Sequence, residues 1–171
     1  SINSVSEVLT KKHIGVLATP ATIKSSYYKK VIELKIENVK VFQQECPEFV
    51  SEIEKNKLNL TKLNYLSDLY INPLLKRNIE ELILGCSHYP LIYEVLKNKI
   101  HSNIEIIDPS AALMNKFNNY FVIPKNTYCN SVSYDDVRFF VTANIQEFSQ
   151  KVKYWLAINK EIMLVNLRSN D

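Results

Sequence analysis

The chain reads as an α/β protein, a parallel sheet with helices on both faces. Three observations predict it: short apolar runs alternate with helical spacing over two-thirds of its 171 residues, each run is too short for a buried helix, and hydrophobic residues reach 46%. Ile14 to Ala18 is the first strand, and Ala21 to Glu37 has the apolar spacing of one long helix. Val39 to Gln43 is the second strand, with a helix starting at Pro47 that turns Phe49, Val50 and Ile53 to one side. Leu60 to Lys76 comes next as a helix interrupted or bent at Pro73. Leu82 to Leu84 is a third strand, Leu91 to Ile100 a helix, Ile104 to Ile107 a fourth strand and Ala111 to Phe121 another helix. The tail changes character. Asn126 to Asp136 is polar and turn-like, Val137 to Thr142 a strand, Ile145 to Trp155 an amphipathic helix and Ile162 to Leu167 a last apolar run.

Composition narrows the chemistry. Gly15 and Gly85 are the only glycines, too few for a dinucleotide or Walker-type phosphate loop. Net charge is +3, with 14 basic against 13 acidic residues up to Asp108 and 7 against 5 beyond it. Without a basic stripe, nucleic acid and membrane surfaces are not expected partners. No apolar run reaches the roughly 18 residues of a membrane span. Cys46, Cys86 and Cys129, odd in number and widely spaced, build no disulfide framework and suit a reducing compartment such as the cytoplasm.

The residues at the end of each strand point to a site. Thr19-Pro20-Ala21-Thr22, Glu45-Cys46-Pro47, Gly85-Cys86-Ser87-His88-Tyr89-Pro90 and Asp108-Pro109-Ser110 each put small polar or nucleophilic residues before a proline expected to open a helix. In a parallel sheet these ends share one edge, where ligands bind and helix N-termini favour small anions. Thr19, Thr22 and Ser87 are candidate ligands there, although a threonine placed like Thr19 is more often only an N-cap. Cys86 at a helix start reads either as a reactive thiol or as a small apolar strand-end residue. His88 is a possible proton relay. Zinc held by Cys86, His88 and Cys46 matches no standard ligand spacing, and no metal is expected.

Leu84-Gly85-Cys86-Ser87-His88-Tyr89-Pro90-Leu91 closely resembles the second cysteine signature of glutamate racemases. Gly15 to Ser25 and Cys46 to Glu54 resemble two further segments of that family, in the same order. The resemblance implies cofactor-independent interconversion of L- and D-glutamate by two thiols on opposite faces of the substrate, supplying D-glutamate for peptidoglycan. It implies that Cys86 deprotonates D-glutamate with His88 assisting, that Glu54 tunes the site, and that Thr19, Thr22 and Ser87 contact substrate. Glu54 also reads as an ordinary solvated charge, and Ser87 stands where threonine is usual.

The family's first-domain segments, including the one with the other cysteine, have no counterpart in this sequence. The expectation is therefore a C-terminal portion: residues 1–108 as the second α/β domain, and 109–171 as a segment that returns to the first. Such a chain would be inactive alone and would expose apolar residues such as Phe139, Phe140, Val141, Phe148 and Trp155. It would self-associate as a homo-oligomer. A non-catalytic small-anion or protein-binding module is the alternative, and an aspartate or hydantoin racemase a third reading that the His88-Tyr89-Pro90 run opposes.

Overall fold

In the computed structural model, residues 2–55, 57–120 and 134–167 are described. They form two compact units, residues 1–123 and 124–171. The first unit is the predicted α/β domain. Its sheet is parallel with strand order β2-β1-β3-β4, where β1 is His13–Ala18, β2 Lys40–Glu45, β3 Glu81–Leu84 and β4 Glu105–Ile107. Strand alternation sends Ile14, Val16 and Ala18 to one face, where they pack with Val41, Ile83 and Ile107 against Val5 and Ile32. Those last two lie on α1 (Ile2–Val8) and α3 (Tyr27–Lys35). Helix α7 (Pro109–Tyr120) packs beside α1.

The opposite face is covered by α5 (Leu60–Leu75), whose buried Leu63, Leu66, Tyr70, Ile71 and Leu74 recur at helical spacing. Helices α4 (Phe49–Ile53) and α6 (Tyr93–Lys97) lie against α5. Asn38 and Asn78, both at positive φ, turn the chain into β2 and β3. At the lower edge the buried Glu81 carboxylate accepts bonds from the Thr10 N–H and hydroxyl (both 3.0 Å) and from the Lys11 N–H (3.3 Å). This ties the α1–β1 loop to the central strand.

Several helix boundaries differ from the sequence expectation. The run from Ala21 to Glu37 is two helices, α2 (Pro20–Ser25) and α3, because Ser26 adopts the left-handed conformation (φ 53°) and its N–H bonds the Ile23 carbonyl. Pro47 opens no helix; it sits in a turn and α4 begins at Phe49. Pro90 lies in a 3₁₀ turn, Tyr89–Ile92, and the expected helix over Leu91 to Ile100 shrinks to α6. Proline at the first helical position holds for Pro20 and Pro109. Pro73 does not interrupt α5, which runs two residues further, since a proline so near the C-terminus forfeits little of the helix. Helix α1, with Val5 fully buried, lacked the length to stand out in the sequence.

The compact units divide at 123/124; α7 lies in the first, packed on α1 with Lys116 bonding Glu7 across them (2.7 Å). The second unit holds β5 (Phe139–Val141) paired in parallel with β6 (Ile162–Leu164), joined through α8 (Ile145–Leu156). The expected exposed apolar character holds for Phe140, 54% exposed, whereas Phe139 rests against Phe148 with ring centroids 6.1 Å apart. The polar stretch from Asn126 lies, up to residue 133, outside the described residues, as does Cys129. Among the described residues no helix is long and apolar enough to cross a membrane.

Candidate active site

The strand order makes β1 and β3 neighbours whose succeeding segments leave in opposite directions, since β1 leads outward to β2 and β3 to β4 on the other side. Such a switch point leaves a crevice at the carboxyl edge, the usual ligand position in open α/β sheets. Gly85 makes the crevice possible. Its N–H bonds the Leu17 carbonyl at 2.7 Å, and a Cβ there would stand 2.8 Å from that oxygen and 3.0 Å from the Ala18 Cβ. Only glycine lets the chain run this close to β1 before turning at Cys86.

Cys86, half-buried, sits in the turn after β3, with its carbonyl accepting from the Tyr89 N–H at 3.1 Å. Its Sγ lies 3.7 Å from the His88 Nδ1, and the His88 Nε2 lies 3.0 Å from a Glu54 carboxylate oxygen. Thiol, imidazole and carboxylate thus form a chain, with Glu54 delivered by the C-terminal end of α4. A carboxylate on one ring nitrogen fixes the ring and supports positive charge on it, and an imidazolium supports a neighbouring thiolate.

Thr19 is the N-cap of α2, its hydroxyl accepting from the Thr22 N–H (3.5 Å) and lying 3.0 Å from the Thr22 hydroxyl. The two threonines therefore form a pair at the end of β1, beside the strand that carries Cys86. Ser87 is exposed and lines, with Cys86, a cavity of about 200 Å³. Tyr28, Leu84, Gly85, Asp108, Pro109, Ser110 and Leu113 complete the wall, while Thr19, Thr22, His88 and Glu54 lie outside it. Asp108 is spent on capping α7, accepting from the Ser110 N–H (2.8 Å) and hydroxyl (2.7 Å).

Sequence reasoning missed Tyr28. Burial, and secondarily the negative charge of an ionised Cys86, raise its hydroxyl above the usual tyrosine range. The signal was hidden because only the break at Ser26 sets the direction of α3. Cys46 is fully buried at the end of β2; burial pushes its thiol up to about 12, which the facing Tyr89 hydroxyl offsets in part. Among the described residues, no three His, Cys, Asp or Glu side chains converge as metal ligands.

The glutamate racemase of Prochlorococcus marinus (strain NATL2A) is 37% identical over 168 residues, covering 98% of this chain and 63% of that protein. That of Synechococcus sp. (strain CC9605) is 32% identical over 165 residues, covering 95% of this chain and 62% of that protein. The chain thus spans about 63% of the length of the curated relatives it matches. Among solved structures, glutamate racemase isoform RacE1 from Bacillus anthracis superposes with a TM-score of 0.76 at 25% identity, over 97% of this chain and 62% of that one. A glutamate racemase from Francisella tularensis, solved in complex with D-glutamate, gives 0.75 at 28% identity, over 96% of this chain and 62% of that one. The sequence pattern of Asp/Glu/Hydantoin racemases matches residues 2–117, and the chain belongs to that family.

Proposed function

We propose that this chain carries one of the two acid/base thiols of a cofactor-independent glutamate racemase. The observation that carries the reading is the Cys86–His88–Glu54 chain at the β1/β3 crevice. An amino-acid Cα–H is a very weak acid, so inversion needs a base on one face and an acid on the other. Cys86 as thiolate takes the Cα proton of D-glutamate; as thiol it returns a proton when L-glutamate is the substrate. His88 and Glu54 act through the sulfur: the imidazole lies within reach of Sγ to relay its proton, and the carboxylate orients the ring. Thr19, Thr22 and Ser87 offer hydroxyls to the substrate's carboxylates. The product D-glutamate serves peptidoglycan synthesis in the cytoplasm.

Buried Cys46 is unsuited to proton transfer, so Cys86 is the one open thiol among the described residues. On this reading the complementary thiol faces Cys86 from a second domain. The expected result in D₂O is that the chain alone leaves the Cα–H signal of both glutamate enantiomers intact. Adding in trans the segment by which the longer relatives exceed it should start exchange with inversion. No exchange in either mixture would overturn the racemase reading, and exchange by the chain alone would place both thiols within it.

Self-association belongs to the same reading. Its support within the first unit is the exposed trio Leu113, Met114 and Phe117 along α7. Sedimentation should show mass rising with concentration, and a monomer at every concentration would remove the claim.

A further inference from the structure

The His88–Glu54 contact joins side chains 33% and 45% exposed, on segments 34 residues apart. An exposed pair of this kind contributes only about 0–1 kcal/mol and cannot hold two loops in register by itself. Something buried must bring the backbones together. Helix α4 is five residues long, too short to be stable except through its packing. Its first residue, Phe49, is fully buried, as is Tyr89, the residue directly after His88. The Phe49 ring meets the Tyr89 ring edge-on, centroids 5.3 Å apart, and meets the Tyr70 ring of α5 at 5.0 Å.

A second contact holds α4 separately: buried Glu52 pairs with Lys55 and Lys62, and Lys62 also reaches Glu48. Those ion pairs anchor α4 to itself and to α5. They do not reach the turn that carries His88, which the Tyr89 ring does. The Tyr89 hydroxyl makes no well-formed hydrogen bond and faces the Cys46 thiol, so the ring is what anchors this residue.

We propose that Tyr89 and Phe49 are positioning residues: their ring contact sets the His88–Glu54 distance and through it the reactivity of Cys86. The proposal rests on the reading of Cys86, His88 and Glu54 as a relay. An edge-to-face pair supplies orientation as well as burial, and leucine in place of either ring keeps the site apolar but loses the geometry.

The test is a mutant cycle in the full chain, read as the rate of iodoacetamide alkylation at Cys86 by peptide mass spectrometry. In the native chain Glu54→Gln should slow alkylation by about 3- to 10-fold, through loss of the carboxylate that orients the imidazole beside Sγ. In a Tyr89→Leu background the same change should matter by less than about 1.5-fold, and Tyr89→Phe should restore the full effect. Phe49→Leu serves as an independent second background, read in the same way if Tyr89→Leu fails to fold. A Glu54→Gln effect of equal size in the native chain and in the leucine variants would overturn the positioning role while leaving the relay intact. No Glu54→Gln effect in the native chain would overturn the relay and the proposal with it.

Discussion

Iodoacetamide at about pH 8 should modify Cys86 in the folded chain and leave Cys46 unlabelled. The two thiols end strands of one sheet edge, yet their surroundings differ. Cys86 is half-buried in a turn that borders a cavity, within reach of the His88 imidazole. Cys46 has no exposed surface, its N–H bonds the Ala18 carbonyl at 2.9 Å, and burial pushes its thiol up to about 12. A thiol of that acidity is ionised in about one molecule in ten thousand at pH 8, and the reagent cannot reach it. Labelling of Cys46 should therefore rise only as pH climbs toward its folded value. Comparable labelling of both at about pH 8 would show that the β2 end is open and the assignment of roles wrong.

Gly85→Ala should be the most damaging single-methyl change in the first unit, costing about 2–3 kcal/mol in urea unfolding. Gly15→Ala is the control, expected to cost less than about 1 kcal/mol. At each site an added Cβ would come within 2.8 Å of another atom. The difference lies in what it meets. At Gly15 the nearest atom is the tip of the Ile79 side chain, which can change rotamer; at Gly85 it is the Leu17 carbonyl oxygen, fixed in the sheet. Relief at Gly85 requires β3 and β1 to separate, which breaks the 2.7 Å bond between them and moves Cys86. Equal losses for the two alanine variants would mean that this edge of the sheet yields more readily than the register implies.

The strands were legible because buried parallel strands read as short apolar runs, and Ile14–Ala18 or Leu82–Leu84 could be little else. Helix limits were less so. Nothing in the Ser25-Ser26 pair marks a left-handed residue, so the α2–α3 break and the direction of Tyr28 stayed hidden. Pro47 and Pro90 look like Pro20 and Pro109 in sequence, but their turns are set by the packing of Phe49 and Tyr89. The candidate site was visible as residue types at strand ends. The pairing of Glu54 with His88 was not, because the two lie 34 positions apart with the whole of α5 between them.

The packing of α1 against α7 has a topological consequence. The first and last helices of the unit lie side by side, joined by the Glu7–Lys116 pair. The polypeptide therefore enters and leaves this module through one layer, without crossing the sheet. With both ends held in one layer, the unit is a module whose two termini lie close together on the same side of its sheet.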